Sequence, residues 1–168
     1  DVSALGANTV VPRLGATYHA AFGSRIPPEE GSAHLRGAAL LSAPHPLEGI
    51  RVLDLSRVLA GPFAGRIFES LGADVVKVEP PEGDVTRLWG DVRHGLSGYF
   101  TQQNAGKRTV CIDLQADGAA DLLLELAAHA DLVIENFRPG VLERLGVGWA
   151  ELQRVNPRIV LLSFSGYG

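Results

Sequence analysis

From residue 47 onward, short apolar runs of strand length alternate with longer amphipathic runs. Strands are predicted at 50–55, 74–79, 108–114, 131–135 and 158–164. Helices are predicted at 61–71, 117–129 and 149–155. Because strands that alternate with helices form βαβ units, the pattern predicts an α/β fold: a Rossmann-like parallel sheet of five strands, with right-handed crossovers and helices on both faces.

The helix after the first strand has a clear start, end and apolar periodicity. Pro62 lies at its start, where proline has a suitable φ and lacks only an N–H that would be unpaired anyway. Phe63, Ile67 and Leu71 recur at four-residue spacing and predict one buried face. Gly72 is expected to end the helix. In the next helix Leu122, Leu123 and Leu126 are predicted to face the sheet.

Two connections stand out between the predicted elements. The second strand is stopped by Pro80 and Pro81, which cannot donate to a ladder. Residues 82–106 then form a long polar, glycine-rich connection. A connection of this length is uncommon in a compact domain and favours a functional role. A second loop covers 136–146.

Residues 1–46 differ from the rest in being rich in proline, glycine and small residues, with little periodicity beyond 34–41. This composition predicts an irregular extension or linker. The alternative is an ordered extension that packs on a partner subunit. The chain is therefore divided into an irregular segment, 1–46, and one domain, 47–168.

Composition limits the class of protein. With 168 residues, 46% of them hydrophobic, a net charge of -4 and a mean hydropathy of +0.12, the chain is typical of a single globular domain. Its acidic balance argues against a nucleic-acid partner. The absence of a 20-residue apolar run and of a signal peptide predicts a cytoplasmic protein with no membrane partner. Since the chain starts with Asp1, contains no methionine and stops after an apolar run, it is expected to be a piece of a longer polypeptide.

Cysteine and histidine give no sign of a nucleophile or a metal site. Cys111 lies inside a predicted strand and is interpreted as a buried strand residue. The chain has five histidines, and none shows metal-ligand spacing, so no metal is expected. They are His19, His34, His45, His94 and His129.

The turn after the first strand is a candidate ligand site. Ala60 and Gly61 are small enough for a ligand to approach the backbone, and the following helix offers unpaired N–H groups to an anion. No GxGxxG motif occurs there, which argues against a nicotinamide-dependent dehydrogenase. Taken alone, the turn fits ligand binding and simple packing equally well.

Several charged residues lie near this predicted cleft. Asp54 is expected to have a structural role, accepting backbone N–H bonds from the adjacent turn. Lys107 and Arg108 either attract phosphate or form a solvated strand entry. Asp84 and Arg87 are three residues apart and could pair with each other.

Six sequence blocks in continuous order give a specific resemblance over about 120 residues. They are VLDLSRVLAGP (52–62), LGADVVKVEPP (71–81), GDVTR (83–87), YFTQQNAGKRTVCIDL (99–114), ADLVIENFRPGVLERLGVG (130–148) and NPRIVLLSFSGYG (156–168). Together they resemble the family III CoA-transferases of the CaiB/BaiF type, which include the alpha-methylacyl-CoA racemases. The resemblance implies the N-terminal, coenzyme A-binding portion of an enzyme that continues into a second domain and forms interlocked homodimers.

The resemblance also implies a site, with coenzyme A held along the carboxyl ends of the strands. The guanidinium groups of Arg138 and Arg144 suit its phosphates, and Leu59 and Ile112 suit its adenine. The alternative is that both arginines only solvate and cap a loop. Pro80 stands where some transferases have an arginine. The matching positions are Leu59, Ala60, Ile112, Asp113, Leu114, Gln115, Asn136, Phe137, Arg138 and Arg144.

The resemblance implies the transfer of coenzyme A from an acyl-CoA thioester to a free carboxylic acid. The transferases use an aspartate nucleophile and the racemases a His and an Asp, and in both cases these lie downstream of Gly168. No catalytic residue is therefore assigned, and the 168 residues alone are expected to have no turnover. One alternative is a racemase, which Pro80 and the sequence RPGVLERLG slightly favour. The other is a non-catalytic CoA-binding fragment.

Overall fold

The computed structural model describes residues 45–93 and 96–166. Apart from residues 45 and 46, the predicted extension over 1–46 lies outside the described residues, as do His19, His34 and His94. All five strands of the predicted sheet lie within them.

The described residues form seven strands and five α-helices, with one 3-10 helix at Val85–Leu88. The strands are β1 (Arg51–Asp54), β2 (Asp74–Glu79), β3 (Val92–Arg93), β4 (Leu96–Ser97), β5 (Arg108–Cys111), β6 (Leu132–Glu135) and β7 (Val160–Ser163). The helices are α1 (Ala60–Ser70), α2 (Gly98–Asn104), α3 (Ala119–Ala128), α4 (Val141–Arg144) and α5 (Trp149–Val155).

The main sheet is parallel and has the strand order β5-β2-β1-β6-β7. Strands β3 and β4 form a separate antiparallel pair. This arrangement confirms the Rossmann-like α/β prediction. Successive strands are added on one side of β1 and then on the other, so the direction of winding reverses between β1 and β6. Open α/β sheets bind their ligands at such a switch point.

Several element bounds agree closely with the sequence pattern. Strand β2 and helix α5 have the predicted bounds, and α3 is shorter than predicted by a few residues at its ends. Strand β5 ends three residues early, because the Asp113 carboxylate accepts a hydrogen bond from the Gln115 amide, 2.9 Å away, and forms a turn there.

The larger of two apolar clusters lies on the sheet face covered by α3 and α5. Leu123 and Leu126 of α3 are buried and Leu122 is half-buried against the same cluster, as predicted. The smaller cluster, on the opposite face, includes Val52 and Val75 near the amino ends of their strands.

The prediction for the apolar face of α1 is wrong. Phe63, Ile67 and Leu71 are 53%, 46% and 40% exposed. The helix buries Gly61 and Gly65 instead, because its side of the sheet has charged groups beneath it. A Cβ at Gly65 would lie 2.8 Å from Oδ2 of Asp54. The four-residue period identified a helix and an apolar stripe, but the helix packs through its glycine side.

The connection over 82–106 is also more regular than predicted. It contains the 3-10 helix, the β3–β4 pair and α2. Asp84 caps the 3-10 helix by accepting a hydrogen bond from the Thr86 amide at 3.0 Å, and Ser97 caps α2 through the Phe100 amide at 3.2 Å. The described parts of this segment, 82–93 and 96–106, are therefore largely regular structure.

Cys111 is exposed, contrary to the prediction, because it ends the edge strand β5. Desolvation raises the pKa of its thiol, and the nearby carboxylates of Glu79, Glu82 and Asp113 raise it further. A thiol with a raised pKa stays protonated near neutral pH and is a weak nucleophile. The interpretation that Cys111 is not a nucleophile is thus supported by the raised pKa of its thiol and not by burial.

We expect Gly65→Ala to lower the free energy of unfolding by about 1–3 kcal/mol, because the new methyl group would be forced against a buried ion pair. Gly98→Ala is the matched control, since a Cβ there meets nothing within 4 Å. Urea unfolding of both variants measures the difference. Equal stability of the two would contradict the close packing of α1.

The corrected orientation of α1 has its own test. Phe63→Ser should change the free energy of unfolding by less than about 1 kcal/mol, as expected for an exposed position. Leu123→Ala, at a fully buried position, should lower it by about 2–5 kcal/mol. Urea unfolding at low protein concentration distinguishes them. A large decrease in the free energy of unfolding for Phe63→Ser would instead support the prediction that Phe63 lies on a buried face of α1.

Candidate functional site

The switch point brings together the loop 56–59, which follows β1, and the loop 136–138, which follows β6. These two strands are hydrogen-bonded neighbours, with Asp54 opposite Ile134. Since the strands are parallel, both loops emerge at the carboxyl edge of the sheet. We call residues 56–59 the β1 loop and residues 136–138 the β6 loop.

The side chain of Asn136 joins the two loops. Its Oδ1 accepts a hydrogen bond from the Arg57 amide at 2.7 Å, and its Nδ2 donates to the Arg57 carbonyl at 2.6 Å. The Arg57 guanidinium lies 5.9 Å from the centre of the Phe137 ring, within the range of a cation–π contact. The β1 and β6 loops therefore form one connected wall at the switch point.

The backbone of the β1 loop is strained at Val58, whose φ is +71°. Such a conformation costs about 1–3 kcal/mol and persists only where the surroundings hold it. The Val58 amide donates to Oδ2 of Asp84 at 3.2 Å, and the Ser56 carbonyl accepts from Nζ of Lys77 at 2.7 Å. Each residue at 56, 57 and 58 is thus held by a side chain from outside the loop.

Four ionised side chains lie beneath this loop and α1, and we call them the buried charge cluster: Asp54, Lys77, Asp84 and Lys107. All four side chains are at most 1% exposed. Lys107 Nζ lies 2.8 Å from Asp54 Oδ2, and Lys77 Nζ lies 3.3 Å from Asp84 Oδ2. The cluster contains two positive and two negative groups, so the charges compensate one another in a region from which water is excluded.

The environment of the cluster affects two of its pKa values. Burial acts to raise the pKa of Asp84, but hydrogen bonds from Thr86 and Val58 and the charge of Lys77 outweigh burial and lower that pKa. Burial lowers the pKa of Lys107, against the opposing charge of Asp54. Asp84 is therefore a carboxylate at neutral pH and can accept the Val58 amide.

The cluster corrects one prediction and confirms another. Lys107 neither attracts phosphate nor is solvated, because its Nζ is buried and also bonds the Pro62 carbonyl at 2.7 Å and Oδ1 of Asn104 at 2.9 Å. Asp54 accepts the Ser56 amide at 3.0 Å, as its predicted structural role requires. Arg108 starts the edge strand β5 and pairs with Asp74 at the amino end of β2, where its side chain is partly exposed. That position fits a solvated strand entry.

Asp84 and Arg87 do not pair with each other. Asp84 is occupied by the cluster and by its cap, whereas Arg87 forms two hydrogen bonds of 2.7 Å with the Glu79 carboxylate. The Arg87 guanidinium also lies 3.8 Å from the centre of the Phe100 ring. The spacing of three residues therefore reflects the 3-10 helix, in which Asp84 is the N-terminal cap and Arg87 is the basic residue of the last turn.

Five of the predicted ligand positions lie at the switch point. Leu59 is 49% exposed and Ala60 begins α1 next to it. Asn136 forms the bridge between the loops. Phe137 and Arg138 line a crevice of about 390 Å³ at the carboxyl ends of β6 and β7.

The other predicted positions lie elsewhere. Ile112–Gln115 follow β5, which is separated from β1 by β2. The Ile112 side chain is only 6% exposed and packs in the larger core, so its position does not support an apolar contact with adenine. Arg144 is the exposed last residue of α4 and is not part of the crevice lining.

Sequence reasoning missed the role of Lys77 and gave Asp84 the wrong partner. A signal for Lys77 was present in β2, whose sequence DVVKVE places Val75, Lys77 and Glu79 on one face. A lysine that alternates with valine in a central strand must be buried, and a buried lysine needs a partner. The identity of that partner, in a different segment, depends on the fold.

Within residues 45–93 and 96–166, no three His, Cys, Asp or Glu side chains are grouped so that they could hold a metal ion. In the same residues, every helix is too short or too polar to cross a lipid bilayer.

Comparison with known proteins places this geometry in a family. The model of CoA-transferase family III matches residues 47–168. The chain is 43% identical over 127 residues to succinyl-CoA–D-citramalate CoA-transferase of Chloroflexus aurantiacus, covering 74% of this chain and 32% of the relative. It is 44% identical over 124 residues to acetyl-CoA:oxalate CoA-transferase of Acetobacter aceti, covering 73% and 32%.

Solved structures give the same result. A hypothetical protein from Mycobacterium tuberculosis superposes with a TM-score of 0.69 at 42% identity, over 74% of this chain and 34% of that protein. A CaiB/BaiF family protein from Brucella suis also gives 0.69 at 42% identity, over 73% and 34%. The chain spans about a third of the length of these relatives. The resemblance predicted from the six sequence blocks is thus confirmed, and the chain belongs to CoA-transferase family III.

Proposed function

We propose that this chain supplies the coenzyme A-binding layer of an enzyme that transfers CoA from an acyl-CoA thioester to a free carboxylic acid. The observation that supports this most directly is the joined wall of the β1 and β6 loops at the switch point, in a chain of this family. The relatives from Chloroflexus and Acetobacter are both named for CoA transfer, which favours transfer over α-proton exchange.

The switch point offers what the nucleotide end of CoA needs. Leu59 gives an exposed apolar surface for the adenine, and Ala60, which begins α1 beside it, is also exposed. Arg138 places an exposed guanidinium on the crevice lining, where it can bind a phosphate with two hydrogen bonds. Within the described residues Arg138 forms no ion pair of 4 Å or less, so binding a phosphate breaks no such pair.

Arg144 is assigned a supporting role in the same proposal. It lies in the short helix that follows the β6 loop, with its Nη1 3.4 Å from where a Cβ of Gly140 would be. From there it adds positive charge near the crevice. Residues 113–115 are exposed or half-buried at the β5 end of the same carboxyl edge, where an extended ligand such as CoA could reach them.

The chemical step of the proposal needs a nucleophile that this chain is not expected to supply. An aspartate carboxylate attacks the thioester carbonyl, the C–S bond breaks, and a mixed anhydride and CoA thiolate form. The thiolate then attacks the aspartyl carbonyl of the anhydride, which releases the first acid and leaves an enzyme-bound CoA thioester. The acceptor carboxylate attacks the carbonyl of that thioester, which expels CoA thiolate and forms a second mixed anhydride. The thiolate then attacks the acceptor's carbonyl in this anhydride, which gives the new acyl-CoA and releases the aspartate carboxylate. The family's homodimer is part of the same proposal.

We expect the chain to bind CoA in isothermal titration calorimetry and Arg138→Ala to weaken binding about tenfold, because one charge-assisted phosphate contact is lost. Arg158→Ala is the control, since Arg158 is an exposed arginine before the amino end of β7, at the opposite edge of the sheet. Equal weakening of CoA binding by both variants would indicate that CoA is attracted by the positive charge of the chain in general and not by Arg138. Absence of heat with the native chain would contradict the proposal.

The assignment of catalysis to residues outside this chain has a separate test. When the 168-residue protein is mixed with an acyl-CoA and a different free carboxylate, we expect mass spectrometry to show no new acyl-CoA. A longer family member serves as the positive control for the assay. Clear formation of the exchanged acyl-CoA by the 168-residue chain would show that its own residues perform the transfer.

A further inference from the structure

The β1 loop has a conformation that its own sequence disfavours. Val58 is β-branched and lies in the left-handed region, which valine rarely occupies. It immediately precedes Leu59, the last residue of the loop, and Ala60, the first residue of α1. These two residues are the ones expected to contact the nucleotide. The direction in which Leu59 projects therefore depends on whether Val58 is kept in that conformation.

Two buried residues beneath the loop hold it in place. Asp84 accepts the Val58 amide at 3.2 Å, and Lys77 donates to the Ser56 carbonyl at 2.7 Å. Both side chains are at most 1% exposed, so they cannot touch a ligand themselves. They contact the loop on both sides of Arg57, which Asn136 holds independently.

Asp84 is in turn fixed by Thr86. Its Oδ1 accepts from the Thr86 amide at 3.0 Å and from the Thr86 hydroxyl at 2.8 Å. These two bonds orient the carboxylate so that Oδ2 points to Val58 and Lys77. Oδ1 of Asp84 therefore bonds Thr86, whereas Oδ2 bonds the Val58 amide and pairs with Lys77.

A buried ion pair is a weak source of stability, because desolvation offsets much of its attraction. In some proteins such a pair instead fixes one conformation. Here the conformation that the pair fixes is that of a ligand-facing loop. The pair connects β2 and the 3-10 helix to that loop.

We propose that Lys77 and Asp84 are positioning residues, which set the affinity for coenzyme A by holding the strained β1 loop without contacting the ligand. This inference rests on the proposed function. The affinity for CoA should then follow the hydrogen bonds to Ser56 and Val58, even in variants that remain fully folded.

The first test is Asp84→Asn, measured by calorimetry with CoA under conditions where urea unfolding shows the variant to be folded. An asparagine nitrogen would face the Val58 N–H and the Lys77 ammonium at the place of Oδ2, or the Thr86 N–H at the place of Oδ1, and all of these are donors. Either orientation also removes the negative charge that pairs with Lys77. We expect affinity to fall roughly tenfold or more, as the released loop leaves its strained conformation. Asp74→Asn is the control, because it removes an ion pair of the same sheet at the opposite edge.

The second test uses a milder pair of variants and decides the matter if Asp84→Asn fails to fold. Thr86→Val keeps the shape of the side chain but removes the hydroxyl that orients Asp84, and should weaken CoA binding about threefold. Thr86→Ser keeps the hydroxyl and should retain nearly native affinity. Both lower the stability of the fold, so a purely structural role would not separate their affinities.

The outcomes distinguish the inference from the function on which it rests. Native-like affinity of folded Asp84→Asn and of Thr86→Val, in a chain that binds CoA, would overturn the positioning role and leave the proposed function intact. Equal weakening by Thr86→Val and Thr86→Ser would also overturn it. A native chain that does not bind CoA would overturn the proposed function and the inference together.

Discussion

The buried charge cluster is the constraint on which the rest of this structure depends. Asp54, Lys77, Asp84 and Lys107 lie beneath α1 at the carboxyl edge of the sheet, where an apolar core would normally continue. Ions in such a position are tolerated only when each is paired and hydrogen-bonded. The pairs satisfy one another, and further hydrogen bonds join them to the backbone of Ser56, Val58 and Pro62 and to the side chains of Thr86 and Asn104. The cluster thereby links the sheet, the first helix and the β1 loop.

This constraint explains two features that otherwise look unrelated. Helix α1 packs through Gly61 and Gly65, because a larger side chain at either position would collide with Ser56 or with the Asp54–Lys107 pair. Its apolar stripe is therefore left on the outside of the described chain. The β1 loop can in turn keep a strained residue at its tip, because its backbone is bonded from below. The buried charge cluster thus determines both the packing of α1 and the conformation of the β1 loop.

Much of the fold could be predicted from the sequence, because strand and helix periodicities are local. Strand β2 and helix α5 have their predicted bounds, and the sheet has the expected parallel form. The buried face of α1 could not be predicted, because apolar spacing identifies a stripe and not the surface it meets. The Asp84–Val58 bond joins residues 26 positions apart, and the Lys107–Asp54 pair joins residues 53 apart. The resemblance located the loops at the switch point, including Asn136, but not the roles of Lys77 and Asp84, which hold the β1 loop from below.

The central claim is that coenzyme A occupies the switch point between β1 and β6. Titration of the isotopically labelled chain with CoA, followed by amide NMR, tests this residue by residue. The account predicts that the largest shifts fall in 57–60 and 137–138, with little change at 156–159, at the opposite edge of the sheet. Saturable binding with its largest shifts away from the β1 and β6 loops would contradict the account.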